Sequence, residues 1–284
     1  MDETKLLIIG INGQLGSALR KKYPRAQTTD VAQLDITDKQ AVDNFNWQNV
    51  DCILNAAAYT DVDGAETDTG RQAAWSINAV GVANIVNAAI KNDITMVHVS
   101  TDYVFDGRQE VHAENEQFSP LNVYGQSKAA GDIAVSLTPK QYVLRTSWLI
   151  GEGKNFVRTM LSLGKQGISP QVVNDQIGRL TFTNVLVEAM GHLLETHAPY
   201  GTYNVSCSGD SVSWAAITRE IFEDAGFEIP VKECSTAEYF SDKENWAPRP
   251  MHSTLLLEKV EKTGFQLVDW REALKEYVRQ ESKT

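Results

Sequence analysis

Tyr124 and Lys128, four positions apart in the run Tyr124-Gly-Gln-Ser-Lys128, could act together in proton transfer. On a helix this spacing places both side chains on one face. A tyrosine hydroxyl has a reference pKa of about 10, which is too high for easy proton exchange at neutral pH. A neighbouring ammonium group stabilises the phenolate, so we expect Lys128 to lower the pKa of Tyr124. Such pairs also occur on exposed helix faces without any function.

Thr101 supplies a third polar group, at the end of the apolar run Val97-His-Val-Ser-Thr101. A hydroxyl at the carboxyl end of a buried strand can donate a hydrogen bond to a carbonyl oxygen as negative charge develops there. The three side chains together predict reduction of a carbonyl: hydride reaches the carbon, Tyr124 protonates the oxygen, and Lys128 also bonds the nicotinamide ribose. His98, in the same run, is expected to be a packed core residue rather than a ligand.

A glycine-rich turn follows the first apolar run, with the spacing Gly10-x-x-Gly13-x-x-Gly16. Glycines let the backbone turn sharply and let a pyrophosphate approach the N-terminus of the next helix, whose free N–H groups favour anions. The turn alone could equally well hold no ligand. Its candidate cofactor residues are Gly10, Asn12, Gly13, Gln14, Leu15 and Gly16.

Asp30 lies twenty positions after Gly10, at the end of a segment (26–30) that we expect to be the second strand. An acid at this position accepts from the adenosine ribose hydroxyls and favours a free 2′-OH, so NADH should be accepted. NADPH stays open because three cations are close in the sequence: Lys21, Lys22 and Arg25. The other candidates for cofactor contact are Asp35 and Ile36 at the adenine, Ala56, Ala57, Ala58, Tyr59 and Thr60 at a ribose, and Asn78.

Short apolar runs alternate with amphipathic stretches in the first half of the chain. The expected strands are 5–9, 51–55, 96–100 and 142–145, and the expected helices are 14–22, 74–91 and 127–136. Strands that are apolar throughout and separated by helices indicate a parallel sheet covered on both faces. The sequence therefore predicts an α/β fold, a Rossmann-like doubly wound parallel sheet with a smaller C-terminal substrate-binding lobe.

The second half changes in rhythm after about residue 149. A helix is expected over 183–195, a strand over 201–207 and a final helix over 270–280. We expect residues 1–148 to form the NAD(P)-binding domain, with returning segments around 181–207. The substrate-binding lobe would then comprise 149–180 and 208–284.

Composition restricts the partners of this 284-residue chain. Lys and Arg total 26 against 37 Asp and Glu, a net charge of −11, so nucleic acid and anionic membranes are not expected to bind. The start of the chain resembles neither a signal peptide nor a membrane span. Three scattered cysteines suggest neither disulfides nor a metal site, and a cytoplasmic location is expected.

Taken together, residues 10–16, 100–107 and 124–128 resemble the extended short-chain dehydrogenase/reductases. Within that superfamily the run Ser-Thr-Asp-Tyr-Val-Phe-Asp-Gly at 100–107 is similar to the dTDP-4-dehydrorhamnose reductase family, as are residues 55–63 and 172–178. The resemblance implies NADPH- or NADH-dependent reduction of the 4-keto group of dTDP-4-dehydro-β-L-rhamnose to dTDP-L-rhamnose. It also implies Thr101, Tyr124 and Lys128 as the catalytic residues, with rhamnose-containing polysaccharide as the destination of the product.

For the dTDP-sugar substrate, the resemblance implies that Asp102 and Tyr103 border the sugar and that Trp148 packs on its ring. Trp148 could equally be a core residue between the lobes. The diphosphate needs cations, and one or two are expected to face it from the set Arg145, Lys154, Arg158, Arg179 and Arg249, with Arg249 favoured by its stiff setting between prolines. Arg179 alone would more readily be a solvated side chain. Ala18 stands where some relatives have a glutamate in a metal-bridged dimer, so no metal is expected, while a homodimer remains open.

Two alternatives remain beside the reductase. One is another nucleotide-sugar epimerase, dehydratase or reductase of the same superfamily; dehydratases generally carry an acidic pair, and only Asp102 is present beside Thr101. The other is a non-catalytic regulatory subunit that binds NADP and a partner enzyme. Such a subunit has no need of Thr101, Tyr124 and Lys128 together, so their joint presence favours an enzyme.

Overall fold

A central sheet of six strands organises the computed structural model, which describes residues 1–282. The twelve strands within residues 1–282 are β1 (Leu6–Ile9), β2 (Gln27–Thr29), β3 (Cys52–Asn55), β4 (Thr95–Thr101), β5 (Gln141–Thr146), β6 (Leu149–Ile150), β7 (Gln171–Val173), β8 (Ile177–Gly178), β9 (Thr181–Phe182), β10 (Gly201–Asn204), β11 (Val212–Ser213) and β12 (Lys232–Cys234). The central sheet has the order β10-β5-β4-β3-β1-β2, and all five of its pairings are parallel. The predicted Rossmann-like parallel sheet is confirmed.

Helices cover both faces of this sheet. The helices of the described residues are α1 (Gln14–Lys22), α2 (Lys39–Asn44), α3 (Asp68–Trp75), α4 (Val82–Lys91), α5 (Val123–Val135), α6 (Phe156–Lys165), α7 (Thr183–Glu195), α8 (Trp214–Ala225), α9 (Thr236–Phe240), α10 (Glu258–Glu261) and α11 (Trp270–Glu281). Of these, α6, α8 and α11 pack in a separate core outside the central sheet. Side chains alternate along β1, so Leu6 and Ile8 enter a core that includes Leu19 of α1, while Leu7 and Ile9 enter a second core with α2 and α4. Burial on both faces explains the uninterrupted apolar runs in the sequence.

The strand order creates a cleft at one edge. The chain passes from β1 to β2 on one side and then returns to place β3 on the other side of β1. Helical connections leave β1 and β3 in opposite directions, so a crevice opens beyond the carboxyl ends of these two strands. Gly10 follows β1 and Ala56 follows β3, which brings both predicted cofactor segments to this crevice.

A third core lies outside the central sheet and includes Ile150, Phe222 and Trp270. Three two-stranded sheets accompany it, pairing β6 with β9, β7 with β12 and β8 with β11. The chain returns from this region to the central sheet through α7 and β10, since β10 pairs with β5. Residues 283–284 of the expected substrate lobe lie outside the described residues.

Two helices differ from their predicted bounds. The helix predicted over 127–136 begins earlier, at Val123, because the Asn122 side chain caps it by accepting from Gly125 N. The helix predicted over 74–91 begins at Asp68 and contains a π-helical segment, Ser76–Gly81. Within residues 1–282 this continuous stretch, Asp68–Lys91, is the one helix long and apolar enough to cross a membrane, and half of its most apolar window is buried inside the protein.

Candidate active site

The glycine turn joins β1 to α1 in a conformation that suits a bound anion. Gly10 has a φ of +85°, and a Cβ added there would lie 2.6 Å from Ala57 N, so both the backbone angle and the space require glycine. The N-cap of α1 is Gly13, which has no side chain to bond the N–H groups of the first turn. Those groups remain available to a phosphate, and the dipole of α1 favours negative charge there.

Two cavities meet at this turn. The first, of about 500 Å³, is lined by Gly10, Asp30, Asp35, Ile36 and neighbouring residues. The second, of about 870 Å³, is lined by Gln14, Leu15, Thr60, Thr101, Tyr124, Lys128 and Trp148 among others. Both are lined by Asn12, Gly13, Ala56, Ala57 and Ala58, so they form one cleft that crosses the glycine turn. A dinucleotide lying across the turn would place one nucleotide in each cavity.

The carboxylate of Asp30 is held at the mouth of the first cavity. Its Oδ2 accepts from Asn12 Nδ2 at 3.1 Å, and its Oδ1 accepts from Ala32 N at 2.9 Å. The three nearby cations point elsewhere and pair with other acids: Lys21 with Glu152, Lys22 with Glu188, and Arg25 with Glu3. Among the residues of the described chain that line this cavity, none is a lysine or an arginine.

Three side chains of the expected catalytic group line the second cavity together. Thr101 is the last residue of β4, and Tyr124 and Lys128 lie one helical turn apart on α5, whose start is fixed by the Asn122 cap. Thr101 Oγ1 donates to Asp102 Oδ1 at 3.0 Å and accepts from Tyr103 N at 3.2 Å. The fold therefore brings the alcohol of Thr101, the phenol of Tyr124 and the amine of Lys128 to the same cavity.

The acid–base properties of this group differ from the prediction. Burial raises the pKa of Tyr124, and a hydrogen bond with Thr101 only partly opposes the shift. Burial also lowers the pKa of Lys128 to about 8, with Asp132 acting in the opposite direction. The prediction that Lys128 lowers the pKa of Tyr124 is wrong, because burial of the phenol dominates. Lys128 Nζ donates to Val99 O at 2.6 Å. The phenol is protonated at neutral pH, as a proton donor must be, although the raised pKa makes it a weaker acid.

Asp102 is a buried carboxylic acid beside Thr101, with 1% of its surface exposed. Burial raises its pKa to about 6, while hydrogen bonds to Ser253 and Thr101 favour the ionised form. Tyr103, the other residue expected to border the sugar, packs edge-on against Tyr124 with ring centroids 5.5 Å apart. Asp102 and Tyr103 both line the second cavity.

Trp148 forms an aromatic wall of the same cavity. Its backbone has a φ of +47°, an unfavourable angle for a bulky residue that is typical of functional positions. Its ring stacks on Trp214 with centroids 3.8 Å apart, and a Cβ at Gly178 would lie within 2.9 Å of it. Trp214 also lines the cavity and was missed from the sequence, since it is the first residue of α8 and belongs to no recognised motif.

Most of the cationic side chains that were predicted to face the diphosphate bond to other groups of the protein instead. Arg145 pairs with buried Asp132 at 3.1 Å, and Arg249 makes two bonds to Asp63 at 2.7 and 2.8 Å. Arg158 pairs with Glu281, and Arg179 donates to the carbonyl oxygens of Gly209 and Leu255. Lys154 lines the second cavity. The expectation of a solvated Arg179 is wrong, and Lys154 is the member of the set placed to meet a ligand.

Asn78, Tyr59 and Gly16 were predicted to contact the cofactor, yet they line neither cavity in the described chain. Asn78 accepts from Tyr59 N at 2.9 Å and donates to Tyr59 O and to Ser127 Oγ. It therefore fixes the loop after β3 against α5. A Cβ added at Gly16 would lie 2.1 Å from Gly10 O, so glycine at this position lets α1 lie close to β1. These residues shape the cleft from behind.

Comparison with known proteins places this arrangement in a family. The family model for the RmlD substrate binding domain matches residues 4–283. The chain is 39% identical to the dTDP-4-dehydrorhamnose reductase of Aggregatibacter actinomycetemcomitans, covering 95% of this chain and 97% of that one. It is 36% identical to the spore coat polysaccharide biosynthesis protein SpsK of Bacillus subtilis, covering 98% of both chains.

A solved structure agrees with both sequence comparisons. The dTDP-4-dehydrorhamnose reductase of Bacillus anthracis, crystallised in complex with NADP, superposes with a TM-score of 0.88 at 35% identity, covering 97% of this chain and 98% of that one. The glycine turn, the continuous cleft and the grouped Thr101, Tyr124 and Lys128 are thus found in a chain whose relatives are similar over nearly their whole length. This chain belongs to the RmlD family, the family of the dTDP-4-dehydrorhamnose reductases.

Proposed function

We propose that this protein reduces the 4-keto group of dTDP-4-dehydro-β-L-rhamnose to a hydroxyl group, giving dTDP-L-rhamnose, with a reduced nicotinamide cofactor. The observation that carries the proposal is the placement of Thr101, Tyr124 and Lys128 on one cavity that continues across the glycine turn. The family relationship supplies the identity of the substrate.

The residues present suit NADPH or NADH. The turn after Gly10 would hold the pyrophosphate against the start of α1, Asp30 would accept from the adenosine ribose, and Asp35 and Ile36 would face the adenine. Lys128 would donate to the nicotinamide ribose. When bound, the cofactor supplies the hydride that is added to the substrate carbon.

Two hydroxyl groups then bind the carbonyl oxygen of the substrate. Tyr124, a phenol that is protonated at neutral pH, gives its proton to the carbonyl oxygen as that oxygen gains negative charge. Thr101 donates a hydrogen bond to the same oxygen, turning from its present acceptor on Asp102. Each turnover leaves Tyr124 as a phenolate, which must regain one proton before the next cycle.

The nucleotide-sugar is proposed to lie along the remainder of the second cavity. Trp148, braced by Trp214, offers an aromatic face to the sugar carbons, and Asp102 and Tyr103 border the ring. Lys154 supplies positive charge for the diphosphate. In this arrangement residues 1–148 with 181–207 bind the cofactor, and the C-terminal lobe binds the substrate. The protein is proposed to work in the cytoplasm on this small molecule, apart from nucleic acids and membranes.

The test is turnover of dTDP-4-dehydro-β-L-rhamnose by the purified protein. We expect loss of the absorbance of the reduced nicotinamide, with one molecule of dTDP-L-rhamnose formed for each molecule of cofactor oxidised. A control lacking the sugar nucleotide should show no oxidation. Binding of both ligands without oxidation would contradict the proposal and would favour a binding or regulatory protein.

A further inference from the structure

Behind the catalytic group lies a buried chain of three polar side chains: Asn55, His98 and Lys128. Asn55 Nδ2 lies 3.1 Å from His98 Nδ1, and His98 Nε2 lies 3.4 Å from Lys128 Nζ. All three are 2% exposed or less. The proposed mechanism gives a role only to Lys128.

The hydrogen bonds fix which ring nitrogen of His98 carries the proton. Asn55 Oδ1 accepts from Ala57 N at 3.2 Å, so its amide group must turn its NH₂ toward the ring. His98 Nδ1 therefore accepts that bond. Burial lowers the pKa of His98 well below its usual value, so the ring is neutral. Its single proton consequently lies on Nε2 and points at Lys128 Nζ.

This geometry opposes a positive charge on Lys128. An ammonium group has only N–H donors, and an Nε2–H at 3.4 Å presents it with another donor, whereas an uncharged amine has a lone pair that can face that hydrogen. Val99 O satisfies one further N–H at 2.6 Å. The charged or titratable groups around Lys128 are His98 on β4 and Tyr124 and Asp132 on α5. Arg145, on β5, pairs with Asp132 at 3.1 Å. Because Arg145 neutralises Asp132, little negative charge is left to retain the proton.

We infer that His98 is a positioning residue for Lys128: held by Asn55 with its proton on Nε2, it leaves Lys128 short of a proton in the free protein, so binding of the reduced cofactor takes up a proton from water. The ribose hydroxyls and the pyrophosphate supply the acceptor and the negative charge that the free site lacks. The inference rests on the cofactor site of the proposed function.

Proton uptake can be counted directly. Calorimetric titration with NADH at about pH 8, in buffers that differ in ionisation enthalpy, gives the number of protons taken up per chain. With the pKa of Lys128 at about 8 in the free protein, we expect about half a proton. Lys128→Met should bind NADH with no uptake. No uptake by the wild-type protein, or full uptake by Lys128→Met, would overturn the inference.

A second variant tests His98 without changing it. In Asn55→Asp a carboxylate replaces the amide NH₂, so the His98 proton should move to Nδ1, and Nε2 should then accept from Lys128. Uptake should fall to near zero, and ¹⁵N NMR of His98 should report the reversed tautomer. Asn84→Asp adds the same charge at a buried amide that bonds Ile36 O, away from His98, and should keep wild-type uptake.

The role of His98 would be refuted if Asn55→Asp reversed the His98 tautomer and still took up as many protons as the wild-type protein. It would also be refuted if His98 in the wild-type protein carried its proton on Nδ1. Should Asn55→Asp fail to fold, the wild-type tautomer and the Lys128→Met titration still decide. Failure of the proposed function is distinguishable from failure of this inference. The first would appear as NADH that does not bind or a keto sugar that is not reduced, the second as NADH that binds without proton uptake.

Discussion

Asp30 should control the choice between NADH and NADPH. Its carboxylate stands at the first cavity beside Asn12, and among the lining residues of the described chain there is no cation to receive a 2′-phosphate. Replacing Asp30 by asparagine removes the charge and keeps the size. We expect the catalytic efficiency, kcat/KM, to fall for NADH and to rise for NADPH.

The magnitude follows from the charges. Two unit charges about 5 Å apart in water interact by about 0.8 kcal/mol, and a 2′-phosphate carries about two charges, so Asp30 costs NADPH about 1.5 kcal/mol. This corresponds to about a tenfold effect. Loss of a charged acceptor for the ribose hydroxyl costs NADH about 1 kcal/mol at this half-exposed position, or about fivefold. The NADH/NADPH ratio of kcat/KM should therefore fall about 50-fold in Asp30→Asn.

Steady-state kinetics with each cofactor at saturating keto sugar measures this ratio. Asp38→Asn is the matched control: it removes the same charge at the N-cap of α2, outside the cavity, and should leave the ratio unchanged. The reasoning fails if Asp30→Asn leaves the ratio within about twofold of the wild type, or if Asp38→Asn shifts it equally.

Three further changes test the second cavity. Thr101→Val should lower kcat about 100-fold with little change in cofactor affinity, measured by steady-state kinetics and NADH titration, because one donor to the developing oxyanion is lost; wild-type kcat would remove Thr101 from the mechanism. Asp102→Asn should leave the free energy of unfolding little changed below about pH 4 and should raise it by up to about 3 kcal/mol above about pH 6. The reason is that burial raises the pKa of Asp102, so its ionised form destabilises the folded protein but not the unfolded chain. Denaturant unfolding at both pH values measures this, and an equal change at both would contradict it. Trp214→Leu should raise the KM for the sugar nucleotide about fivefold while NADH affinity stays the same, since Trp148 loses the ring that braces it; an unchanged KM would show that Trp148 needs no brace.

Short-range patterns were sufficient to predict the central sheet and the glycine turn after β1. The bounds of α1 and α7 agree with the predicted 14–22 and 183–195, because amphipathic periodicity and local breakers determine both. The position of Tyr124 and Lys128 on one helix, and of Thr101 at a strand end, also follows from local sequence.

The rest depends on contacts between distant parts of the chain. Arg249 was predicted to face a diphosphate, but Asp63, nearly two hundred residues earlier, pairs with it. Trp214 joins the cavity only because β11 and α8 bring it against Trp148. The lowered pKa of Lys128 likewise reflects burial by the surrounding fold, which the spacing of Tyr124 and Lys128 does not encode.

The central claim, that Tyr124 delivers a proton to a carbonyl oxygen during hydride transfer, is tested most directly by Tyr124→Phe in single-turnover reduction of the keto sugar. With NADH binding verified by titration, the rate of nicotinamide oxidation should fall about 10²–10⁴-fold. A Tyr124→Phe variant that reduces the sugar within about threefold of the wild-type rate, with the hydride step shown to be rate-limiting, would contradict the account.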